Sequence, residues 1–117
     1  MINVLLVEDN DVDSQLTQDL LTEWSIEDFK ITRTKTLVEG LALLSRERFD
    51  AVLLDLSLPD GFGLATVRQV HATSPTVPVV VLSGVNDQTL ALQAVQQGAR
   101  DYLVKGQGHP ELLARAV

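Results

Sequence analysis

Two rhythms of apolar residues alternate along the chain. Nearly unbroken apolar runs occupy residues 2–7, 50–54 and 77–82, while between them apolar positions recur every three or four residues. An unbroken run of strand length suits a strand buried on both faces, and the wider spacing marks one face of a helix. Residues 29–34 alternate apolar and polar, as a half-buried edge strand does, and 101–104 form a short last strand. Helices are predicted over about 11–24, from 36, over 62–72, over 87–97, and from Pro110.

Capping chemistry sharpens these bounds. Asn10 and Asp11 can cap the first helix, Thr36-Leu37-Val38-Glu39 is a capping box, and Ser74-Pro75 ends the third helix. Gly98 closes the fourth helix and Pro110 opens the last. The inward faces are expected to carry Val12, Leu16, Leu20, Leu21 and Trp24, then Leu37, Val38, Leu41 and Leu44, then Leu90, Ala91, Ala94 and Val95.

Five strands alternating with five helices predict an α/β fold: a doubly wound parallel sheet in three αβα layers. The continuous runs should be central and the mixed or short strands the edges, which gives the order 2-1-3-4-5. In that order the winding reverses between strands one and three, where such sheets open a ligand crevice. Glu8-Asp9 ends strand one, and Asp55 ends strand three just before the breaker Pro59-Asp60-Gly61. An acidic cluster therefore falls where a ligand should sit.

Composition narrows the chemistry. The 117 residues suit one domain, 1–117, and the net charge of −7 argues against binding nucleic acid. No cysteine is present, so thiolate metal sites are excluded. Apolar runs reach only about six residues, far short of a membrane span, and the N-terminus lacks the pattern of a signal peptide. A cytoplasmic location is expected.

Three carboxylates in one crevice repel one another and need a cation to stay ionised together. Hard oxygen donors in an open site suit magnesium, or manganese. Lys105, at the end of strand five, can serve a phosphate or Asp55 as a point charge, and Ser83, at the end of strand four, can donate its hydroxyl. Phosphoryl transfer depends on positioning and charge neutralisation more than on a general base, so Asp55 reads as a nucleophile that accepts a phosphoryl group. His71 and His109 read as surface residues and Trp24 as helix packing.

These residues resemble a response-regulator receiver domain of two-component signalling, a flavodoxin-like (CheY-like) family. The resemblance rests on Leu5-Leu6-Val7-Glu8-Asp9, Asp55 with Pro59-Asp60-Gly61, Val80-Val81-Leu82-Ser83-Gly84, and Gly98-Ala99-Arg100-Asp101-Tyr102-Leu103-Val104-Lys105. It implies Mg2+-dependent transfer from the phosphohistidine of a histidine kinase or phosphotransfer protein to Asp55, making the chain a phosphoacceptor and not an enzyme. It further implies that Glu8, Asp9, Asp55 and the backbone carbonyl of Ser57 hold the metal, and that Ser83 and Lys105 contact the phosphoryl group. Ser83 and Tyr102 would form a switch that alters the surface of helix four, strand five and helix five. A homodimer through that surface, with Arg100, Asp101, Glu111 and Arg115 offering charge pairs, is a further expectation. An output domain or downstream protein would receive the signal.

The chain departs from many relatives at Glu8, where they have Asp, and at Gly106, where proline follows the lysine and the intervening bond is cis. Ser57 and Val85 stand where relatives tune phosphoryl lifetime. The last helix is short, so the chain reads as a piece of a longer protein. Two rival readings are a nucleotide- or flavin-binding domain and a receiver-shaped interaction module that is never phosphorylated. The first would need a glycine-rich opening loop where this chain has Glu8-Asp9-Asn10-Asp11.

Overall fold

The computed structural model describes residues 2–24, 28–84 and 88–105. Along the chain these form β1 (Ile2–Val7), α1 (Asp11–Trp24), β2 (Phe29–Thr34), α2 (Leu37–Arg46) and β3 (Ala51–Asp55). There follow β4 (Ser57–Leu58), β5 (Gly61–Phe62), α3 (Leu64–Thr73), β6 (Val79–Ser83), α4 (Gln88–Gln96) and β7 (Asp101–Val104). The main sheet is parallel in the order β2-β1-β3-β6-β7. With the small β4–β5 hairpin set aside, this is the predicted 2-1-3-4-5. The expected helix from Pro110, the Lys105–Gly106 bond, Val85, His109, Glu111, Arg115 and the side chain of Trp24 lie outside the described residues.

Alternate strand residues point to opposite faces, and each face has its own core. Leu5, Val7, Val52, Leu54, Val79 and Val81 pack with Leu37 and Leu44 of α2, Val67 and Val70 of α3, and Ala94 of α4. Val4, Leu6, Leu53, Val80 and Leu82 pack with Leu21 of α1. Burying each such side chain is worth roughly 1.5–3 kcal/mol, so the three central strands dominate the stability.

Some expectations need correction. The breaker at Pro59-Asp60-Gly61 makes more than a turn: it closes an antiparallel hairpin pairing Ser57 with Phe62 and Leu58 with Gly61. Phe62 therefore belongs to a strand, and α3 starts at Leu64 after Gly63, whose φ of 71° is one that glycine takes without strain.

The inward face of α1 is also different. Val12 is 75% and Leu16 51% exposed, while Ser14, Thr17 and Leu21 are buried. The polar Ser14 and Thr17 occupy the sheet-facing stripe, which turns Val12 and Leu16 outward. On α2 the stripe is Leu37, Gly40 and Leu44, leaving Val38 67% exposed. Gly40 lies so close to β1 that a Cβ there would come within 2.9 Å of Val7. On α4 Ala94 is buried while Val95 is 48% exposed. His71, read as a surface residue, is half-buried against the backbone of Gly98, which ends α4 with a φ of 115°.

Candidate functional site

Register brings the acidic residues together. β1 and β3 pair Val7 with Leu54, so Glu8, just past β1, stands beside Asp55, the last residue of β3. Carboxylate oxygens of Glu8, Asp9 and Asp55 lie within 4.8 Å of one another. Glu8 and Asp55 are buried and Asp9 is exposed, so the cluster opens to solvent at Asp9.

The first loop is tied down from two directions. Asn10 caps α1 by accepting the Asp13 N–H at 2.9 Å, as its position predicted. Arg33, at the end of β2, donates from Nε to the Glu8 carbonyl at 2.8 Å and pairs with Asp11 at 2.8 Å. The guanidinium of Arg33, with the ammonium of Lys35 beside it, holds the Asp11 carboxyl below its usual range.

Lys105 enters from the far side. β6 and β7 pair Ser83 with Val104, and the Lys105 N–H donates to the Ser83 carbonyl at 2.8 Å. Its ammonium then lies 2.6 Å from Glu8 Oε1, 3.1 Å from Asp13 Oδ2 and 3.5 Å from Asp55 Oδ1. Burial opposes the Lys105 charge, but the bonds to Glu8 and Asp13 and the field of Asp55 outweigh it and raise the pKa. For Glu8, loss of hydration is the largest effect. The Lys105 hydrogen bond opposes it, the adjacent Asp55 adds to it, and the pKa rises to about 7.

Ser83 is buried at the tip of β6, and Tyr102 is half-buried against the core on the α2–α3–α4 face. Ser57 donates its N–H to Asp55 Oδ1 at 3.3 Å. The structure thus gathers Glu8, Asp9, Asp55 and Lys105 in one crevice, flanked by Ser57, while Tyr102 lies on β7.

The donor set fits a hard divalent cation. The oxygens of Glu8, Asp9 and Asp55 are close enough to share an ion, and the Lys105 ammonium offsets part of their charge through Glu8 and Asp55. Asp13 and Arg33 were not singled out in the sequence, and Asp60 was read only as part of the breaker Pro59-Asp60-Gly61, although its carboxylate accepts the N–H groups of Leu37 and Val38. Asp13 stands in the first turn of α1, and its partner Lys105 is 92 positions away, so no local pattern ties the two together. Asp60 and Arg33 act on elements remote in sequence, and no local pattern marks those roles.

Comparison with known proteins identifies the family and the fold. The family profile of the response regulator receiver domain matches residues 4–117. The KDP operon transcriptional regulatory protein KdpE of Escherichia coli is 36% identical over 115 residues, covering 98% of this chain and 49% of the relative. The swarming motility regulation protein RssB of Serratia marcescens is 32% identical, covering 97% of this chain and 51% of its own length. The chain thus spans about half the length of these relatives. A response regulator from Burkholderia pseudomallei, solved with a phosphorylated aspartic acid, calcium and citrate, superposes with a TM-score of 0.83 at 26% identity. That match covers 100% of this chain and 67% of the other.

Proposed function

The chain belongs to the response regulator receiver domain family, and from that premise we propose that Asp55 accepts a phosphoryl group from a phosphohistidine. The observation that carries this reading is the convergence of Glu8, Asp9 and Asp55 within 4.8 Å, with the Lys105 ammonium 3.5 Å from the Asp55 carboxylate.

In the reaction an Asp55 oxygen attacks phosphorus, an O–P bond forms, and the N–P bond of the donor breaks. The imidazole nitrogen leaves with the bonding pair. Asp55 is held ready for this by burial and by the Ser57 N–H. Lys105 offsets charge on the incoming oxygens, and the Ser83 hydroxyl donates to another of them. Glu8, Asp9, Asp55 and the Ser57 carbonyl would hold Mg2+, or Mn2+ in its place. When bound, such an ion neutralises the phosphoryl oxygens and lets the carboxylates stay ionised.

A phosphoryl group at Asp55 then draws Ser83 and lets Tyr102 repack, altering the surface that α4 and β7 present. Only differential affinity for the two arrangements can shift their populations. A histidine kinase or phosphotransfer protein would be the donor in the cytoplasm, and an output domain or downstream protein the receiver of the change.

The test is incubation with acetyl phosphate and Mg2+ followed by intact mass. A gain of one phosphoryl group that Asp55→Asn abolishes supports the reading. No gain in the wild type would favour the unphosphorylated interaction module instead. Beryllofluoride with Mg2+ should perturb the NMR signals of Ser83 and Tyr102 together; an unmoved Tyr102 would sever it from the switch.

A further inference from the structure

Lys105 serves the reacting carboxylate, yet Asp55 is the most distant of its three anionic neighbours. Its two shorter contacts run to Glu8 at 2.6 Å and Asp13 at 3.1 Å, and neither of these groups is the nucleophile. Glu8 belongs to the strand-end cluster. Asp13 does not: it stands in the first turn of α1 and reaches the ammonium from the helix side, 92 positions away in the chain. Its side chain is 38% exposed, so it joins the crevice at the rim.

An ammonium has three donors. Glu8 and Asp13 occupy two of them at hydrogen-bond distance, and the approach to Asp55 remains longer. An arriving phosphoryl group presents oxygens that must draw Lys105 toward Asp55. The contact to Asp13 is the one most easily exchanged, because Asp13 is 38% exposed and water can take its place there, whereas Glu8 is buried.

We propose that Asp13 is a positioning residue that restrains Lys105, and that release of this contact accompanies occupation of the site by a phosphoryl group. The inference rests on the phosphoacceptor reading of Asp55. The free energy of the Lys105–Asp13 contact is lost whenever the anion is held, so Asp13 weakens the site's grip on it. A carboxylate in the first turn of a helix also favours the helix dipole. That ordinary role does not depend on Lys105, which makes the two separable.

The experiment titrates beryllofluoride into the full chain at saturating Mg2+ by calorimetry, for wild type, Asp13→Asn, Lys105→Met and the double variant. Asp13→Asn should bind roughly two- to tenfold more tightly than wild type, and Asp13→Glu should return close to it. In the Lys105→Met background the Asp13→Asn change should have no effect. An equal gain in both backgrounds overturns the proposal, because the charge would then act without the lysine. So does equal affinity of Asp13→Asn and wild type.

The Lys105 ammonium signal in NMR gives an independent reading if the Lys105→Met site is too weak to titrate. It should differ between wild type and Asp13→Asn in the free proteins and coincide when beryllofluoride is bound. Identical signals in the free proteins overturn the proposal. Failure of the wild type to bind beryllofluoride is a different result: it defeats the phosphoacceptor reading itself, and this inference with it.

Discussion

The carboxylate of Asp60 accepts the backbone N–H of Leu37 at 2.7 Å, joining the loop after β3 to the first residue of α2. Its other oxygen accepts the Val38 N–H at 2.9 Å, and Thr36 accepts the Glu39 N–H at 3.2 Å. The free donors at the start of α2 are thus satisfied partly by its own cap and partly by the segment that follows the candidate phosphoacceptor.

Asp60→Ala should therefore lower the melting temperature by a few degrees near neutral pH. The bonds from Val38 and Leu37 hold the Asp60 pKa below its ordinary value. A depressed carboxyl pKa gives stability that is present above the unfolded value near 3.8 and fades as pH falls through the folded value. The gap between wild type and variant should narrow on acidification below about pH 4. Thermal melts from pH 7 to pH 3 measure it, and a gap that stays constant would refute the charged cap.

Gly61, the next residue, is held by space and not by backbone conformation. A Cβ there would sit 2.6 Å from Leu37 Cδ2 and 2.8 Å from Thr66 Cγ2. Gly61→Ala must push α2 or α3 away from the hairpin, at a cost of about 1–3 kcal/mol in urea unfolding. A neutral or stabilising alanine would mean that the Leu37 side chain rotates aside freely.

The sheet was legible because its signal is redundant. Val4–Val7, Val52–Leu54 and Val79–Leu82 are apolar on both faces, and only central parallel strands demand that. Once strand order follows, Glu8, Asp9 and Asp55 must meet, since topology alone collects the carboxyl ends. The α1 face was misread for the opposite reason. Apolar spacing selected Val12 and Leu16, but Ser14 and Thr17 face the sheet, and a stripe with two polar residues has no hydrophobic signature. Partners 92 and 23 positions apart, as for Asp13 and Asp60, leave no local trace at all.

That correction has its own test. Leu16→Gln should change stability by no more than about 0.5 kcal/mol, because half of the side chain already meets water. Leu21→Ala, fully buried one turn further on, should cost about 2–5 kcal/mol. Comparable losses in chemical denaturation would restore Leu16 to the core.

As a ligand of the proposed metal site, Glu8 should link metal affinity to pH. The ion would take the ionised carboxylate, whereas burial, against the Lys105 hydrogen bond, raises the pKa of Glu8 to about 7. At pH 6 roughly nine in ten molecules carry the proton, which must leave on binding, so Mg2+ affinity should be about tenfold weaker at pH 6 than at pH 8. Calorimetry at the two pH values checks this, and Glu8→Gln should bind more weakly with little pH dependence. Stability follows the opposite course in chelator. A folded-state pKa above the unfolded one gives stability that is complete below about 4.5 and lost as pH rises through about 7. Through this group the metal-free protein melts higher at pH 6 than at pH 8, and the metal reverses the order because its gain grows with affinity. If the melts with and without Mg2+ moved in parallel across that range, Glu8 would not be a ligand.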